Sequence, residues 1–217
     1  MSLISPLETH QYTKDSLSKR DVKKDPVDEF RAWFKQAQDA KVDLPEALNL
    51  ATAELPSGRV SVRPVLMKEV DAEGRIVIYS NWEHSRKASD LRTNNNVSVS
   101  FFWKELERVV RVEGTAKRMT REESQAYFQS RPRGSQIGAW ASHQSQVVGS
   151  REELERTYEE TKDRLDKADV IECPPFWGGI RITPDRWEFW QGRASRVHDR
   201  IEYVRNGDAW QIERVNP

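Results

Sequence analysis

A single cysteine, Cys173, in a chain of 217 residues excludes an intrachain disulfide and any cysteine cluster that could hold zinc. It stands between Glu172 and Pro174, a setting that does not stabilise a thiolate, so it is not read as a nucleophile. No apolar run approaches the ~18 residues of a membrane span, and Met1 to Pro6 lacks the apolar stretch of a secretory signal. A reducing, cytoplasmic setting is the expectation. Net charge is missing too: 35 Lys and Arg balance 35 Asp and Glu. That argues against bulk nucleic-acid binding but allows local basic patches that bind phosphate. Neither G-x-G-x-x-G nor G-x-x-x-x-G-K-[ST] occurs, so both standard nucleotide loops are absent. The G-x-S-x-G elbow is absent as well. The four histidines (His10, His84, His143, His198) show no H-x-x-x-H pairing, and no metal is expected.

Tryptophan is in excess, with eight residues. Most suit a core, and some suit a site for a flat ligand. Residues 1–24 are polar with no apolar period and read as a flexible N-terminal arm. Residues 25–217 read as one domain. Asp25-Pro26 starts a helix with a cap and a proline at its first position. Val27, Phe30, Phe34 and Ala37 share a face of it, with Trp33 beside them. From about Ala51 the period becomes two. Arg59 to Val70 reads as one long strand, Asp71 to Gly74 as a turn, and Arg75 to Ser80 as the returning strand. A short helix over Ser85–Thr93 follows, then strands over Val97–Trp103 and Arg108–Lys117. Thr120 and Glu123 form a capping box for a helix ending near Arg131, and Ser150 and Glu153 repeat it before a charged helix to about Lys167. Trp177–Ile182, Trp187–Trp190 and Ile201–Arg205 read as three strands. Asn206-Gly207 signals a hairpin into a last strand over Ala209–Val215. About seven hairpin-connected strands with three or four helices do not alternate as a doubly wound fold requires. They fit an antiparallel barrel with helical additions.

Three basic clusters stand out. Ser85-Arg86-Lys87 follows a strand and opens a helix, which suits a phosphate; a solvated turn is the alternative. Tyr127 and Arg131 are one helical turn apart, and Arg133-Gly134-Ser135 turns back behind Pro132, so a phenol, a guanidinium and a hydroxyl can meet one anion. Surface pairing is the alternative. In the third cluster Arg196, His198 and Arg200 alternate, and on an extended segment all three would point one way. Such a trio calls for an anionic counterpart, unless it protects an exposed edge strand from aggregation.

This third segment carries a resemblance. Trp177-Gly178-Gly179, Glu188-Phe189-Trp190-Gln191-Gly192 and Arg196-Val197-His198-Asp199-Arg200 resemble the C-terminal signature of pyridoxine (pyridoxamine) 5′-phosphate oxidases. Upstream, Arg63-Pro64-Val65-Leu66-Met67-Lys68, Tyr79-Ser80-Asn81, Ser85-Arg86-Lys87-Ala88, Tyr127-Phe128, Ser130 to Arg133 and Ser135 to Ser142 match in order and spacing. The likeness covers about residues 25 to 217, with a fungal or broadly eukaryotic character.

The resemblance implies an α+β, mainly β fold: a split β-barrel of the FMN-binding type with peripheral helices, assembled as a homodimer with FMN at the subunit interface. It implies oxidation of pyridoxine 5′-phosphate or pyridoxamine 5′-phosphate to pyridoxal 5′-phosphate by hydride transfer from C4′, with O2 reduced to H2O2. By motif, FMN would be held by Arg63, Pro64, Val65, Leu66, Met67, Lys68, Tyr79, Ser80, Arg86, Lys87, Gln144, Ser145, Trp190 and Arg200. Substrate would be held by Lys68, Tyr127, Arg131, Ser135, Arg196 and His198, the last two catalytic. Tyr12, in Gln11-Tyr12-Thr13, resembles a segment that closes over substrate in some members. Two positions depart from the pattern. Val109 replaces a glutamine that touches the flavin, and Thr9 replaces an arginine three residues before Tyr12. The alternatives are another flavin-dependent oxidoreductase on the same barrel, or a non-catalytic binder of flavin or pyridoxal phosphate.

Overall fold

The structure is a computed structural model, and it describes residues 11–217. Among them are nine strands and five helices. Hydrogen bonds order the strands β2 (Val60–Leu66), β1 (Ala47–Ala53), β5 (Asn96–Trp103), β6 (Arg108–Arg118), β7 (Trp177–Gln191), β4 (Ile76–Asn81) and β3 (Glu69–Val70), with β8 (Asp199–Asn206) on β7 and β9 (Ala209–Arg214) on β8. The chain divides into two compact units. One takes Met1–Leu48, Val99–Glu113 and Asp185–Pro217, and the other takes Asn49–Ser98 and Gly114–Pro184. No helix among the described residues is long and apolar enough to cross a membrane.

The first unit is organised by α1 (Pro26–Asp39). Asp25 caps it by accepting the Val27 N–H at 2.7 Å, and Pro26 occupies the first turn, where no N–H is needed. Phe30, Trp33 and Ala37 are its buried stripe. Phe30 meets Phe101 at 5.1 Å and Trp187 at 5.4 Å, and Trp33 meets Phe189 edge-on at 5.1 Å. All five rings come from β5 (Asn96–Trp103), β7 (Trp177–Gln191) or α1 itself, so the tryptophan excess partly resolves into core. β8 (Asp199–Asn206) pairs with β7 in register Phe189↔Ile201, and β9 (Ala209–Arg214) closes the meander. Its two-residue loop is Gly207-Asp208, with Gly207 at φ +60 and Asn206 paired to Ala209. The turn is thus one residue later than Asn206-Gly207 suggests.

The second unit contains β2 (Val60–Leu66), β3 (Glu69–Val70), β4 (Ile76–Asn81), α2 (Arg86–Leu91), α3 (Arg121–Gln129), α4 (Arg133–Ala141) and α5 (Arg151–Leu165). It also contains most of β1 (Ala47–Ala53) and parts of β5, β6 (Arg108–Arg118) and β7. β3 and β4 form the expected hairpin, Val70 opposite Ile76. The long strand expected over 59–70 is two strands, and the two expected over 177–190 are one continuous strand. The capping box of α3 is present in both directions. At α5, Ser150 caps Glu153, but the Glu153 carboxylate reaches back to the Gly149 N–H at 2.9 Å.

α4 corrects the sequence reading. Arg133-Gly134-Ser135 is the first turn of a helix, not a loop. Gly134 has a low helix propensity, but the corner compensates: the Gln136 side chain donates to the carbonyls of Gln129 (3.2 Å) and Arg131 (2.9 Å). These would otherwise be orphaned beyond the end of α3. Behind the corner Phe128, Ile137, Ile171, Cys173, Phe176 and Trp177 form a buried cluster. Cys173 is fully enclosed there, consistent with its dismissal as a nucleophile, and burial raises its thiol pKa.

Candidate active site

The α3–α4 corner forms one wall of a cavity of about 410 Å³ lined by Lys68, Tyr79, Ser80, Asn81, Tyr127, Arg131, Ser135, Gln144 and Trp177, among others. β4 supplies Tyr79 to Asn81 and β7 supplies Trp177. The expected substrate-phosphate group of Lys68, Tyr127, Arg131 and Ser135 is thereby brought together. Arg131 lies two residues past the end of α3, at the corner, and not on the last helical turn with Tyr127. Tyr79 and Tyr127 stack at 3.7 Å and 13°, and Trp177 continues the stack at 5.6 Å from Tyr79. Gly179 permits this: a Cβ there would sit 2.9 Å from Tyr79 Cε1 and 2.3 Å from Met119 Sδ. Burial, then Glu69 and Tyr127, pushes the Tyr79 phenol up to about 12, and burial raises Tyr127 as well. Both phenols stay neutral donors at physiological pH.

Arg131 carries the main electrostatic signal. Its guanidinium lies 4.6 Å from the Trp177 ring, and its Nη1 is buried with no hydrogen-bond partner. Burial lowers its pKa. A half-buried guanidinium with one buried, orphaned N–H and no carboxylate partner among the described residues is costly unless something anionic joins it.

A second cationic group lies in the same unit. Lys87 is buried at 4% exposure and donates to Gln144 Oε1. Burial, then the Arg63 charge, lowers it to about 8. Arg63 donates to the Leu50 carbonyl and the Thr52 and Ser61 hydroxyls, 3.8 Å from Asp90. Arg86 pairs with Asp90 at 3.0 Å and Glu54 at 3.3 Å. Asp90 is fully buried. Burial alone would raise its pKa, but the Thr52 and Ser61 hydroxyls, then Arg86 and Arg63, outweigh that and lower it. Three cations therefore gather around one buried and one half-exposed carboxylate, leaving one positive charge uncompensated. That donor set fits a phosphate group. Ser85 does not join it: its hydroxyl caps α2 and donates to the Asn81 carbonyl at 2.6 Å. The loop after α4 closes over these residues, with Ser145 Oγ accepting the Arg86 N–H at 3.3 Å and Gln144 Oε1 accepting from Ser80 at 3.3 Å. Asp90 was not singled out from the sequence, although Arg86 stands four residues before it on the same helix, a spacing that signals the pair.

The third cluster lies in the first unit and corrects the extended reading. Ala194–Arg196 is a single 3-10 turn, with Ser195 at φ 56 and Arg196 at φ 61. Strand geometry resumes only at Asp199, so the period-two alternation does not run from 196 to 200. Arg200 is already committed, to Glu188 at 2.5 Å and the Asn216 carbonyl at 2.7 Å. Arg196 is exposed and its guanidinium has no partner among the described residues. His198 Nδ1 accepts the Arg193 N–H at 3.1 Å, and the ring lies 4.7 Å from Trp190. Tyr12 stands edge-on to both, at 5.5 Å from Trp190 and 5.6 Å from His198. Gly192 leaves it room, since a Cβ there would be 2.6 Å from Tyr12 Cγ. Val109, half-buried on β6, offers no polar side-chain atom. Thr9 lies outside the described residues.

Comparison with known proteins places this geometry. A family model described as pyridoxamine 5′-phosphate oxidase matches residues 34–164. One described as the pyridoxine 5′-phosphate oxidase C-terminal dimerisation region matches residues 177–217. A pyridoxamine 5′-phosphate oxidase of Saccharomyces cerevisiae is 51% identical, across 97% of this chain and 93% of its own. A probable pyridoxamine 5′-phosphate oxidase of Schizosaccharomyces pombe is 47% identical, across 99% and 95%. Among solved structures, PhzG from Burkholderia lata, in complex with tetrahydrophenazine-1-carboxylic acid, superposes with a TM-score of 0.85 at 28% identity, covering 94% of this chain and 98% of that one. The fold is the expected mainly β, split-barrel type, and the chain belongs to the pyridoxamine 5′-phosphate oxidase family.

Proposed function

We propose that this protein is a cytoplasmic, homodimeric pyridoxine/pyridoxamine 5′-phosphate oxidase using FMN. The observation that carries the reading is the buried, unpartnered Arg131 Nη1 in a cavity that also presents Lys68, Tyr127 and Ser135. Two cationic groups built into one unit match a phosphorylated cofactor and a phosphorylated substrate. Arg63, Arg86 and Lys87 would hold the FMN phosphate. The 63–68 segment, Tyr79, Ser80, Gln144, Ser145, Trp190 and the Arg200 N–H groups not given to Glu188 or the Asn216 carbonyl would complete the cofactor site. Bound FMN supplies the two-electron oxidation, with O2 as final acceptor and H2O2 as product.

The chain's own residues bind and orient. Arg131 and Lys68 neutralise the substrate phosphate, and the Tyr127 and Ser135 hydroxyls donate to its remaining oxygens. This remote binding energy fixes the reacting carbon. His198 would hydrogen-bond the polar substituents of the pyridine ring. Its Nδ1 accepts from the Arg193 backbone, so a neutral ring carries its proton on Nε2 and offers that N–H outward. Arg196, with no partner among the described residues, would cover the ring face and hold it in the reactive geometry. Tyr12 would help close the site.

The test is a visible spectrum of the protein supplied with FMN, before and after anaerobic addition of pyridoxine 5′-phosphate. Bleaching that recovers on admitting air is expected. A bound flavin that never bleaches with either phosphorylated vitamer would overturn the assignment.

A further inference from the structure

The 3-10 turn Lys104–Leu106 ends on Glu107, which is 3% exposed and has a backbone φ of 55. A left-handed backbone at a residue with a Cβ persists only where its surroundings determine it. Those surroundings are bonded to Glu107 from two directions. Its Oε2 accepts the consecutive N–H groups of Thr13 (2.9 Å) and Lys14 (3.0 Å). Its carbonyl accepts the Gly192 N–H at 2.8 Å and the Gln191 amide at 3.3 Å. One buried residue thus joins the segment carrying Tyr12 to the segment that leads into Arg193, Arg196 and His198.

Weaker or more exposed ties run parallel to it. Arg108 bonds Asp15 at 2.7 Å, and Arg193 bonds the Asp15 carbonyl at 2.9 Å. The Ser195 N–H bonds Gln11 at 3.0 Å, and Asp199 accepts the Leu17 N–H at 3.0 Å. Among these, the Glu107 carboxylate takes two charge-assisted bonds from rigid backbone donors.

We propose that Glu107 is a positioning residue for the oxidase reaction: its carboxylate seats residues 12–14 on the 190–198 segment, so that Tyr12, Trp190 and His198 take up their mutual geometry. The proposal rests on the reading that Arg196 and His198 hold the substrate ring. Glu107 touches neither cofactor nor substrate and acts through Tyr12.

The test uses the FMN-loaded enzyme. Glu107→Asn keeps a residue that tolerates the left-handed backbone but shortens the side chain out of reach of Thr13 and Lys14. KM for pyridoxine 5′-phosphate should rise about tenfold, the loss expected for charge-assisted hydrogen bonds, with FMN content unchanged. Trypsin cleavage after Lys14 should accelerate. Glu107→Gln, whose amide oxygen can accept the same two N–H groups, should restore both readouts. Glu107→Asn should add nothing to Tyr12→Ala when the two are combined. If Glu107→Asn fails to fold, Thr13→Pro removes one donor from the other side and should reproduce the KM and trypsin effects. Unchanged KM and unchanged cleavage in whichever variant folds would overturn the proposal, as would additivity with Tyr12→Ala. The trypsin measurement needs no turnover. A wild-type enzyme inactive on B6 phosphates would therefore defeat the functional reading, and cleavage after Lys14 would still decide whether Glu107 seats the arm.

Discussion

The two units hold their functional residues in opposite ways. In the second unit two cations, Arg131 and Lys87, are mounted on packed elements with no carboxylate partner among the described residues. Arg131 sits at a corner stitched by Gln136, and Lys87 is buried on α2. In the first unit most arginines are already paired, Arg200 with Glu188 and Arg193 with Asp199 and the Asp15 carbonyl. Arg196, whose guanidinium has no partner among the described residues, rides an exposed turn with two left-handed residues. Binding a phosphate rewards a rigid, pre-charged cradle, because little ordering cost is added when the anion arrives. Covering a ring that must enter and leave rewards a segment held by replaceable contacts.

The sharpest way to break this comparison is Arg196→Ala. The side chain has no partner among the described residues, so its loss should leave stability and FMN content unchanged. Turnover should fall about a hundredfold if it holds the reactive geometry. Unchanged turnover at saturating substrate would remove it from the site. Arg131→Ala tests the other side: KM for the phosphorylated substrate should rise at least about tenfold, the worth of a charged hydrogen-bonding partner, while kcat changes less. A KM that stays put would take Arg131 out of the phosphate cradle.

Lys87 sharpens the contrast through pH. Burial, then Arg63, lowers it from 10.5 to about 8. Between those values the unfolded chain binds more protons than the folded one, so this residue's contribution to stability rises with pH across that window and is unfavourable below it. Without FMN, Lys87→Met should be the more stable protein at pH 7, by on the order of 2 kcal/mol. The gap should close towards pH 10 in paired thermal melts. With FMN, the same substitution should weaken cofactor binding about tenfold. A gap independent of pH would mean that Lys87 is not held in the strained, charged state described. The smallest effect is expected for Gly192→Ala. Its Cβ would press on Tyr12 and displace the arm, raising KM a few-fold, about 1 kcal/mol or less. The phosphate-site residues should be untouched, which a parallel titration of inorganic phosphate as competitor would check.

Local signals survived the passage from sequence to structure. Asp25, Thr120 and Ser150 cap the helices they announce, and the 69–77 hairpin forms where Asp71 to Gly74 turns. Each depends on groups within a few residues of one another. The three basic clusters were also legible, because each gathers its charged residues within a few positions of the sequence.

Partnership and shape were not legible. Nothing local distinguishes Arg200, neutralised by Glu188 across a strand pair, from Arg196, which has no partner among the described residues. α4 is invisible to a reading that takes Gly134 as a turn, because the Gln136 bonds that support it reach back across the corner. Glu107 looks like one charge among many until the chain's beginning folds onto it. The sequence by itself determined the helix starts, the hairpins, the absence of disulfides and cysteine metal sites, and the residue types able to bind phosphate. Only the tertiary structure decided which of those charges are spent on internal pairs and which are left for a ligand. Charge compensation depends on distance in space, and residues that neutralise each other here, such as Arg181 and Asp71, lie up to 110 positions apart in the chain.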